Sequence, residues 1–555
     1  MNKRDLLEAI ELLERLRALK VLWVDDAGAD PVLEMSLFLL GRHLQGLSTT
    51  PTNLAQATTV PYTTATRRIA DMQVRGLLDL RPRTKTGKSF SVHPSDKLIA
   101  KMTSFLEATR VAISGSGANR LRPTKRSSGQ TSVASPSIAP SKLGFTDGVH
   151  VLVLDDPAYA ISKPLQRELS YLMGGQVRFS ETSIDQLREN VLENAALPRS
   201  KYDIVAVDLP MIAEFAARGI LTPLDGVAAD SNVDSADFVP AAWRGVVVAD
   251  RYYAIPILIN PQLLFYRQDL FAELQTPPPS TTQDVLRLAR VMHKPGEEQY
   301  GVSWTGGRGA PVGQAFIQFL ADFGQPVFEL QRSIDGHNLT VSNQQTLRPM
   351  IDTERGRATA RFMIDLLKVS APHTLTMGWE GQVNLLREGR VAMAYEWASR
   401  AAQLSGFASA RTLGFLPHPT GLFPKDKAPR ASVAPVGGFA FGIPSNIATD
   451  SLTKAWHAIE WLASPEVIKL LVQHGGHVTP RISVAADPDV QQLSPMIAAV
   501  DQMARRGEIR LWPRAPVPSY STVVSILGEE IHDMLLGRQT VEQALKRSQD
   551  RAEAI

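Results

Sequence analysis

The sequence predicts a chain of two folded parts, a small and mainly helical unit followed by a much larger α/β unit. The 555 residues exceed what one hydrophobic core usually organises. The segment from Ser114 to Lys142 is rich in Ser, Gly, Pro and Thr and almost free of large apolar side chains, as flexible linkers are. We therefore expect a first unit over residues 1–113, a linker over 114–145 and a second unit over 146–555.

The composition is that of an ordinary globular protein, with 44% hydrophobic and 21% charged residues and a formal net charge of +3. Because the chain has no cysteine, disulfides, zinc–cysteine sites and thiol nucleophiles are excluded. Residues 1–20 interleave charged side chains with leucines, unlike a secretory signal, and no apolar segment is long enough to span a bilayer. We expect a cytoplasmic protein with no membrane partner.

The first unit has the pattern of helices followed by a short hairpin. Apolar periodicity predicts a helix over 33–45. Thr50 and Pro51 then open a short helix as cap and first-turn residues. A longer helix runs from Pro61 to about Arg75, and a basic hairpin follows it. Short helix, turn, longer helix and hairpin is the layout of a winged helix-turn-helix, so this part is predicted to be a mainly α domain of that kind.

The longer helix and the hairpin carry the residue types that contact DNA. Ala65, Ile69 and Met72 share one helix face and should pack inward, which leaves Thr63 and Arg67 pointing outward. An excess of arginine and lysine over aspartate through this segment is typical of a phosphate-binding face, although a solvated helix beside a charged hairpin has the same composition. The predicted DNA contacts are Thr63, Thr64, Arg67, Arg68, Arg81, Arg83, Lys85 and Lys88.

The stretch NLAQATTVPYTTATRRIADMQVRGLLDLRPRTKTGKSFSVHP resembles the MarR-like winged helix family. The resemblance implies binding to double-stranded operator DNA and dimerisation through the terminal helices, here residues 3–20 and 96–112. The hairpin tip departs from the family, because residues 84–88 read TKTGK where many members carry Asp-x-Arg. Gly87-Lys88-Ser89 is not a nucleotide-binding loop, since the glycine required five residues earlier is Pro82.

From Gly148 onward the pattern changes to strands alternating with helices. The apolar segments HVLVLD, QVRFS and YDIVAVD are separated by helical stretches, which predicts a parallel sheet covered on both faces. Ligands of such sheets bind in crevices at the carboxyl ends of the strands. The acidic residues that sit just past these ends are Asp155, Asp156, Glu181 and Asp208.

The second unit also resembles the extracellular solute-binding proteins of sugar ABC transporters. The resemblance covers essentially all of 148–550 and is carried by YDIVAVDLPMIAEFAARGILTPLD, YYAIPILINPQLLFYRQDLF, FIQFLADFGQPVF, MGWEGQVNLLREGRVAMAYEWAS, PVGGFAFGIP, AIEWLASPEVIKLLVQHGGHVTPR and WPRAPVPSY. It implies a two-lobed α/β fold of the periplasmic-binding-protein type. Two segments, near Ala254–Asn260 and Pro435–Pro444, should cross between the lobes, and ligand should close the cleft.

Aromatic and polar residues in this unit suit a sugar ligand. Flat rings can cover the apolar faces of a sugar, and charged or amide groups can match its hydroxyls, although each of these residues could equally serve packing. Gly437 and Gly438 match the family's close-approach glycines, whereas Trp456 and Trp461 are expected in the core. The predicted ligand-binding residues are Asp155, Asp208, Trp243, Asn260, Trp304, Trp379, Glu380, Tyr395, Glu396, Trp397, Gly437, Gly438 and Arg481.

Catalytic and metal-binding patterns are weak. His474 and His477 lie three residues apart, but nothing near them supplies a third metal ligand. Adjacent Asp155 and Asp156 cannot by themselves set the separation that glycoside hydrolysis needs, and no Gly-x-Ser-x-Gly elbow is evident. We expect no cofactor, no metal, no catalytic residue and no enzymatic activity.

Together these patterns favour a homodimeric, ligand-responsive transcription regulator that binds operator DNA and senses a sugar or sugar-like solute in the interlobe cleft. The leading alternative is a transport-associated solute-binding protein with an accessory N-terminal helical domain. A further alternative keeps DNA binding but replaces the sugar by a polyol, a sugar acid or an opine-like compound.

Overall fold

The computed structural model divides the chain into two compact units, Met1–Ser132 and Val133–Ile555. The predicted helix over 3–20 and the predicted linker lie outside the residues that the structure describes. The described residues are 31–44, 49–56, 58, 62–82, 90–103, 148–155, 159, 165–228, 231, 233–333, 336–337, 339, 347–404, 412–426, 430–473 and 478–555.

The described part of the first unit contains four helices and a two-stranded antiparallel sheet, in the predicted order. The strands pair in register from Leu78 opposite Pro94 to Pro82 opposite Phe90. The elements are α1 (Pro31–Leu44), α2 (Pro51–Gln56), α3 (Tyr62–Val74), β1 (Leu78–Pro82), β2 (Phe90–Pro94) and α4 (residues 96–103).

One apolar cluster holds this unit together. Ala65, Ile69 and Met72 on α3 are all buried, as their helical spacing predicts. They pack in one core with residues of α1 and α2 such as Leu40 and Leu54. Because these faces are turned inward, the opposite face of α3 is left to solvent.

The second unit is built on one nine-stranded mixed sheet. The strand order is β4-β3-β5-β14-β8-β12-β9, with β13 beside β8 and β15 beside β14. Strands β3, β4 and β5 run parallel, as the apolar segments predict. The strands are β3 (Val149–Leu154), β4 (Val177–Thr182), β5 (Ile204–Asp208), β8 (Ala254–Arg267), β9 (Tyr300–Ser303), β12 (Val391–Trp397), β13 (Leu413–Leu416), β14 (Ala434–Gly442) and β15 (Ile509–Arg510).

Two long strands, β8 and β14, cross between two lobes. They pair antiparallel with each other from Val436 opposite Pro261 to Gly442 opposite Ala254. One end of β14 pairs with β5, whereas the far half of β8 pairs with β12. The expected crossing segments are therefore two adjacent strands of one sheet.

The first lobe packs helices around β3, β4 and β5. Its core contains the fully buried strand residues Val205 and Val207 together with Phe215 and Trp456, the last of which is placed as expected. The helices of this lobe are α5 (Gln166–Met173), α6 (Ile184–Ala195), α7 (Ile212–Ala217), α8 (Pro240–Gly245), α14 (Leu452–Leu462), α15 (Pro465–Gln473), α16 (Ile482–Ala485) and α17 (Pro488–Gln491), with a small hairpin of β6 (Val247–Val248) and β7 (Arg251–Tyr252).

The second lobe covers both faces of β8 and β12. Leu264 packs into one core while its neighbours Leu263 and Phe265 pack into another, because successive side chains of a strand point to opposite faces. The remaining elements are α9 (Gln268–Glu273), α10 (Thr282–Met292), α11 (Ala310–Asp322), β10 (Arg332–Ser333), β11 (Gly336–His337), α12 (Glu354–Leu367), α13 (Trp379–Arg387), α18 (Pro495–Arg505), α19 (Tyr520–Leu535) and α20 (Val541–Glu553). Within the described ranges, every helix is too short or too polar to span a bilayer.

Candidate functional site

A cavity of about 270 Å³ lies between the two lobes. We call it the cleft cavity. Lobe 1 contributes residues of the helix α6 and residues at and just after the end of strand β5, and lobe 2 contributes residues from the three helices α11, α13 and α19. The lining residues are Ile184, Arg188, Glu189, Asp208, Pro210 and Met211 from lobe 1, and Ala310, Gln314, Trp379, Tyr520, Ser521, Thr522, Val524 and Ser525 from lobe 2.

Four helices begin at residues that line this cavity. They are α6 at Ile184, α11 at Ala310, α13 at Trp379 and α19 at Tyr520. The first turn of a helix has backbone N–H groups without intrahelical partners and carries a partial positive charge. The cleft cavity is therefore favourable for ligand oxygens that accept hydrogen bonds.

Asp208, the last residue of β5, is held by a buried ion pair with Arg514. The arginine donates from Nη2 to Oδ2 at 2.7 Å and from Nη1 to Oδ1 at 3.4 Å. Its Nη1 also donates to the carbonyl of Val436 on the crossing strand β14 at 3.3 Å. The side chains of Arg514 and Asp208 are only 3% and 8% exposed, so the pair is shielded from solvent.

Arg514 also lies among aromatic rings. Its guanidinium carbon is 5.1 Å from the ring centre of Trp397 and 6.0 Å from that of Tyr520. Burial acts to lower the pKa of Arg514, but the Asp208 carboxylate outweighs this effect and raises the pKa above its usual value. Arg514 therefore stays charged. Its side chain contacts Asp208 of lobe 1, Val436 of a crossing strand and the rings of Trp397 and Tyr520.

Two tryptophans form the aromatic wall of the site. The rings of Trp379 and Trp397 are 6.4 Å apart and inclined at 58°. The indole Nε1 of Trp379 is buried and has no hydrogen-bond partner among the described residues. A buried donor without a partner is costly, so Trp379 presents an N–H group that a ligand oxygen could satisfy.

The two glycines of β14 make room for this arrangement. A Cβ atom on Gly437 would lie 2.7 Å from Cζ3 of Trp397, 2.8 Å from the carbonyl oxygen of Asn260 and 3.0 Å from Nη1 of Arg514. Gly438 has a φ of +145°, and a Cβ there would lie 2.3 Å from the carbonyl oxygen of Leu258. Both positions require glycine for the close approach of the crossing strands.

The structure brings together Asp208, Trp379, Trp397 and Gly437 among the residues that the sequence singled out. Asp208 and Trp379 line the cleft cavity, while Trp397 and Gly437 contact Arg514 behind it. Glu380 lies in the first turn of α13, next to Trp379. Asp155 follows β3 and is exposed, whereas Asp156 lies outside the described residues.

Two other predicted residues, Trp304 and Trp243, are part of the packing away from the cleft cavity. Trp304 is 1% exposed, and its Nε1 donates to the hydroxyl of Ser370 at 2.9 Å. Trp243 packs against the rings of Phe238 and Tyr252 in the core of lobe 1. The ring of Trp304 is enclosed by protein and has no face left for a sugar, whereas Trp243 is half-buried and its ring contacts lie within lobe 1.

Arg481 is likewise occupied within lobe 1. Its Nη1 pairs with Asp237 at 2.8 Å, its Nε donates to the carbonyl of Ala463 at 2.6 Å, and its guanidinium carbon lies 4.3 Å from the ring centre of Phe238. The side chain is 4% exposed. Its hydrogen bonds tie two segments of one lobe together rather than reaching the cleft.

Asn260, Glu396 and Tyr395 lie inside the sheet around the crossing strands. Asn260 forms two hydrogen bonds with Ser399. Its Nδ2 donates to the Ser399 hydroxyl at 3.0 Å, and its Oδ1 accepts from the Ser399 backbone N–H at 2.8 Å. Glu396 is fully buried and accepts from the backbone N–H of Trp397 at 2.8 Å. Tyr395 packs against the rings of Phe319 and His418 on the core side of β12.

Arg514 and Tyr520 are the site residues that the sequence did not single out. Both fall within the segment WPRAPVPSY, which the resemblance included without a role for either side chain. Arg514 and its partner Asp208 are 306 residues apart along the chain. Only the aromatic and proline content of this late segment could have drawn attention to it.

The described residues contain no group of three or more His, Asp or Glu side chains arranged to hold a metal ion. His474 and His477 lie outside these residues.

The two lobes, the crossing strands and the cavity between them define a two-lobed ligand-binding protein. Residues 174–469, more than half of the chain, match the family of bacterial extracellular solute-binding proteins. The chain belongs to this family.

Relatives and solved structures agree with this assignment. The mannitol-binding protein of Pseudomonas aeruginosa is 30% identical over 146 residues, which is 26% of this chain and 33% of that protein, so the chain spans about a third of its length. A ribitol complex of an ABC transporter solute-binding protein from Agrobacterium radiobacter K84 has a TM-score of 0.65 at 22% identity, covering 74% of this chain and 99% of that one. A maltose-bound protein of T. maritima has a TM-score of 0.63 at 20% identity, covering 73% and 99%.

The family assignment corrects the main functional prediction. A family of extracellular solute-binding proteins contradicts a cytoplasmic transcription regulator, and the predictions of operator DNA as a partner and of a dimer that reads it are wrong with it. Arg67, Arg68 and Arg81 are exposed and Thr64 is half-buried in the first unit, while Arg83, Lys85 and Lys88 lie outside the described residues. A basic surface on small helices and a hairpin is compatible with many functions, so this layout does not determine one.

Proposed function

We propose that this chain binds one neutral polyol or monosaccharide in the cleft cavity and serves the uptake of that solute. The observation that carries the proposal is the cleft cavity itself, closed on one side by the Asp208–Arg514 ion pair and on another by Trp379. Such a site has the mixed character of small-molecule sites, with apolar walls and a few fixed polar groups.

The volume of the cavity favours a small ligand. At about 270 Å³ it lies below the range of roughly 300–1,000 Å³ that is typical of ligand cavities. A single sugar or polyol unit is expected to fit this space, whereas a chain of several units is not. The cavity volume therefore favours ligands of the size of mannitol and ribitol, which are named for two of the similar proteins, over maltose, which is named for the third.

The charges around the cavity favour a neutral ligand. Asp208 is compensated by Arg514. Arg188 is compensated by Glu214, to which its Nε donates at 3.0 Å, and lies 3.7 Å from Glu189. Because each charged side chain that the described residues place at the wall has a partner of opposite sign, a charged sugar acid would lack a free counter-ion among them.

The polar groups of the wall suit hydroxyl groups. A ligand hydroxyl can accept from the Nε1 of Trp379 and from helix N-termini, and it can donate to oxygens such as the hydroxyls of Ser521 and Thr522. The rings of Trp379 and Tyr520 can cover C–H groups of the ligand. We assign Asp208, Trp379, Arg514 and Tyr520 to this site, with Trp397 and Gly437 supporting Arg514.

The N-terminal unit is proposed to be an accessory domain. The order of α1 to α4 around β1 and β2, and the single core that includes Ala65 and Ile69, support a winged-helix-like arrangement. Predicted boundaries at residues 113 and 145 remain part of this proposal. Limited proteolysis of the full chain should cut first between them and leave two resistant fragments, and cleavage elsewhere would contradict the division.

A thermal-shift series on the full chain tests the proposed ligand class. Saturating D-mannitol or ribitol should raise the melting temperature, because a ligand that binds only the folded state stabilises it. Maltose and a sugar acid such as gluconate should raise it much less. A shift with maltose alone, or with gluconate alone, would contradict the proposal.

A further inference from the structure

A larger cavity lies wholly in lobe 2 and shares no lining residue with the cleft cavity. Its volume is about 870 Å³. We call it the arginine cavity, after the cationic side chains that dominate its wall. The charged residues that line it within the described ranges are Arg332, Arg355, Lys425, Arg430 and Arg510, with Asp322, Glu354 and Asp426 as the carboxyl groups.

Among the described residues of the wall, the three carboxyl groups do not balance the five cations. Asp426 is shared, since Arg355 and Arg430 both pair with it. Glu354 is occupied by Lys425, at 2.5 Å. The remaining carboxyl, Asp322, is fully buried and is directed to His418, whose Nδ1 lies 3.0 Å from its Oδ1.

Two arginines of the wall are left without an ion pair in the described part of the chain. Arg332 is exposed on β10, and Arg510 is half-buried on β15. Arg332 is close enough to act on its neighbours: together with burial it lowers the pKa of His337 to about 4. His337 is therefore neutral near pH 7 and adds no further positive charge.

The other two arginines are fixed in place. The guanidinium carbon of Arg355 lies 4.4 Å from the ring centre of Phe423. Arg430 donates from Nη2 to the carbonyl of Asp322 at 3.1 Å. Burial lowers the pKa of Arg430, and the nearby positive charges of Arg355 and Arg332 lower it further, whereas the carboxylate of Asp426 raises it. Cations held this close to one another repel, and an anion between them would relieve that repulsion.

We propose that the arginine cavity is a second binding site, which takes a small multivalent oxyanion of the phosphate or polycarboxylate class. Planar guanidinium groups bind such oxygens through paired hydrogen bonds, and a fixed cluster of them binds without first having to be assembled. Arg332 and Arg510 supply the charge that is not already compensated. The site is independent of the solute in the cleft cavity.

The proposal is tested by calorimetric titration of the full chain with inorganic phosphate at constant ionic strength, set with sodium chloride. We expect saturable binding of phosphate, and Arg332→Gln should weaken it roughly tenfold, the effect of losing one charge-assisted hydrogen bond. Arg178→Gln is the matched control, because Arg178 is exposed on β4 of lobe 1 and has no ion pair within the described residues. It should leave phosphate affinity unchanged.

Two outcomes would overturn the proposal. One is the absence of saturable heat with phosphate and with citrate. The other is an equal loss of affinity in Arg332→Gln and Arg178→Gln, which would indicate general screening of a positive protein. Arg510→Gln provides a second, independent variant. Since mannitol binding in the cleft should be unchanged in Arg332→Gln, a failure here is distinguishable from a failure of the proposed function.

Discussion

The guanidinium of Arg514 and the carboxylate of Asp208 meet 2.7 Å apart at the junction of the two lobes. Asp208 ends a strand of lobe 1, whereas Arg514 precedes α19 of lobe 2 and donates to Val436 on a crossing strand. A change in the angle between the lobes therefore has to move or break this pair. Its position links the geometry of the cleft to the chemistry of its wall.

Removal of one partner of this pair should destabilise the protein strongly. Asp208→Ala leaves a buried arginine without a counter-ion, which costs about 3–5 kcal/mol in free energy of unfolding. The double variant Asp208→Ala/Arg514→Met should recover much of that loss, and urea unfolding measures both. The control is Glu354→Gln, which breaks the exposed, solvent-screened pair with Lys425 and should change stability far less. Additive effects in the double variant would contradict a coupled pair.

An added methyl group at Gly437 should disturb both stability and ligand binding. The new Cβ would overlap the ring of Trp397 and crowd Arg514, and overpacking of this kind costs roughly 1–3 kcal/mol. Gly437→Ala should therefore unfold at lower urea and bind mannitol more weakly. Gly226→Ala is the control, because a Cβ there has no atom within 4 Å. Equal behaviour of the two variants would show that the close approach at Gly437 has no consequence.

Asp322 should make the stability of the protein depend on pH. Burial raises its pKa to about 6 in the folded chain from an ordinary value of 3.8, with His418 acting in the opposite direction. The protonated form is thus favoured in the folded state, so the contribution is fully present below about pH 3.8 and is lost as pH rises through about 6.

The Asp322→Asn variant isolates this effect, because it cannot titrate. The free energy of unfolding of the parent minus that of the variant should fall between pH 4 and pH 7, by an amount on the order of 2–3 kcal/mol. Urea titrations at several pH values give both quantities. A difference that stays constant over this range would refute the buried carboxyl as the source of the dependence.

Much of the fold can be predicted from the sequence because its strands and helices follow from the local spacing of apolar residues. The buried strands around Val151 and Val205 and the amphipathic α3 follow from apolar periodicity. Asp208 is expected just past a strand end, and the structure places it one step earlier, as the last residue of β5. Individual side chains were less predictable. Trp304 and Trp379 look alike in the sequence, but one is enclosed by lobe 2 and the other faces the cleft, and only the packing of distant segments decides between them.

Function was the harder inference for a related reason. The basic face of α3, with Arg67 and Arg68 exposed, predicts a DNA-binding surface, yet the match of residues 174–469 places the chain in the family of bacterial extracellular solute-binding proteins. The role of Arg514 cannot be predicted from local sequence, because its partner Asp208 is 306 residues away along the chain. Charge and layout describe a surface, whereas function depends on which groups the fold brings together.

Calorimetric titration of the full chain with D-mannitol, in the parent and in two tryptophan variants, tests the central claim most directly. Trp379→Phe keeps a ring at the cavity wall but removes a buried indole N–H that has no partner among the described residues, so affinity should fall roughly tenfold. Trp304→Phe removes a similar N–H in the core, where it binds Ser370, and should lower stability while leaving affinity unchanged. Saturable binding to the parent with this contrast is the predicted result. Absence of binding by mannitol and ribitol, or equal affinity in the parent and Trp379→Phe, would contradict the account.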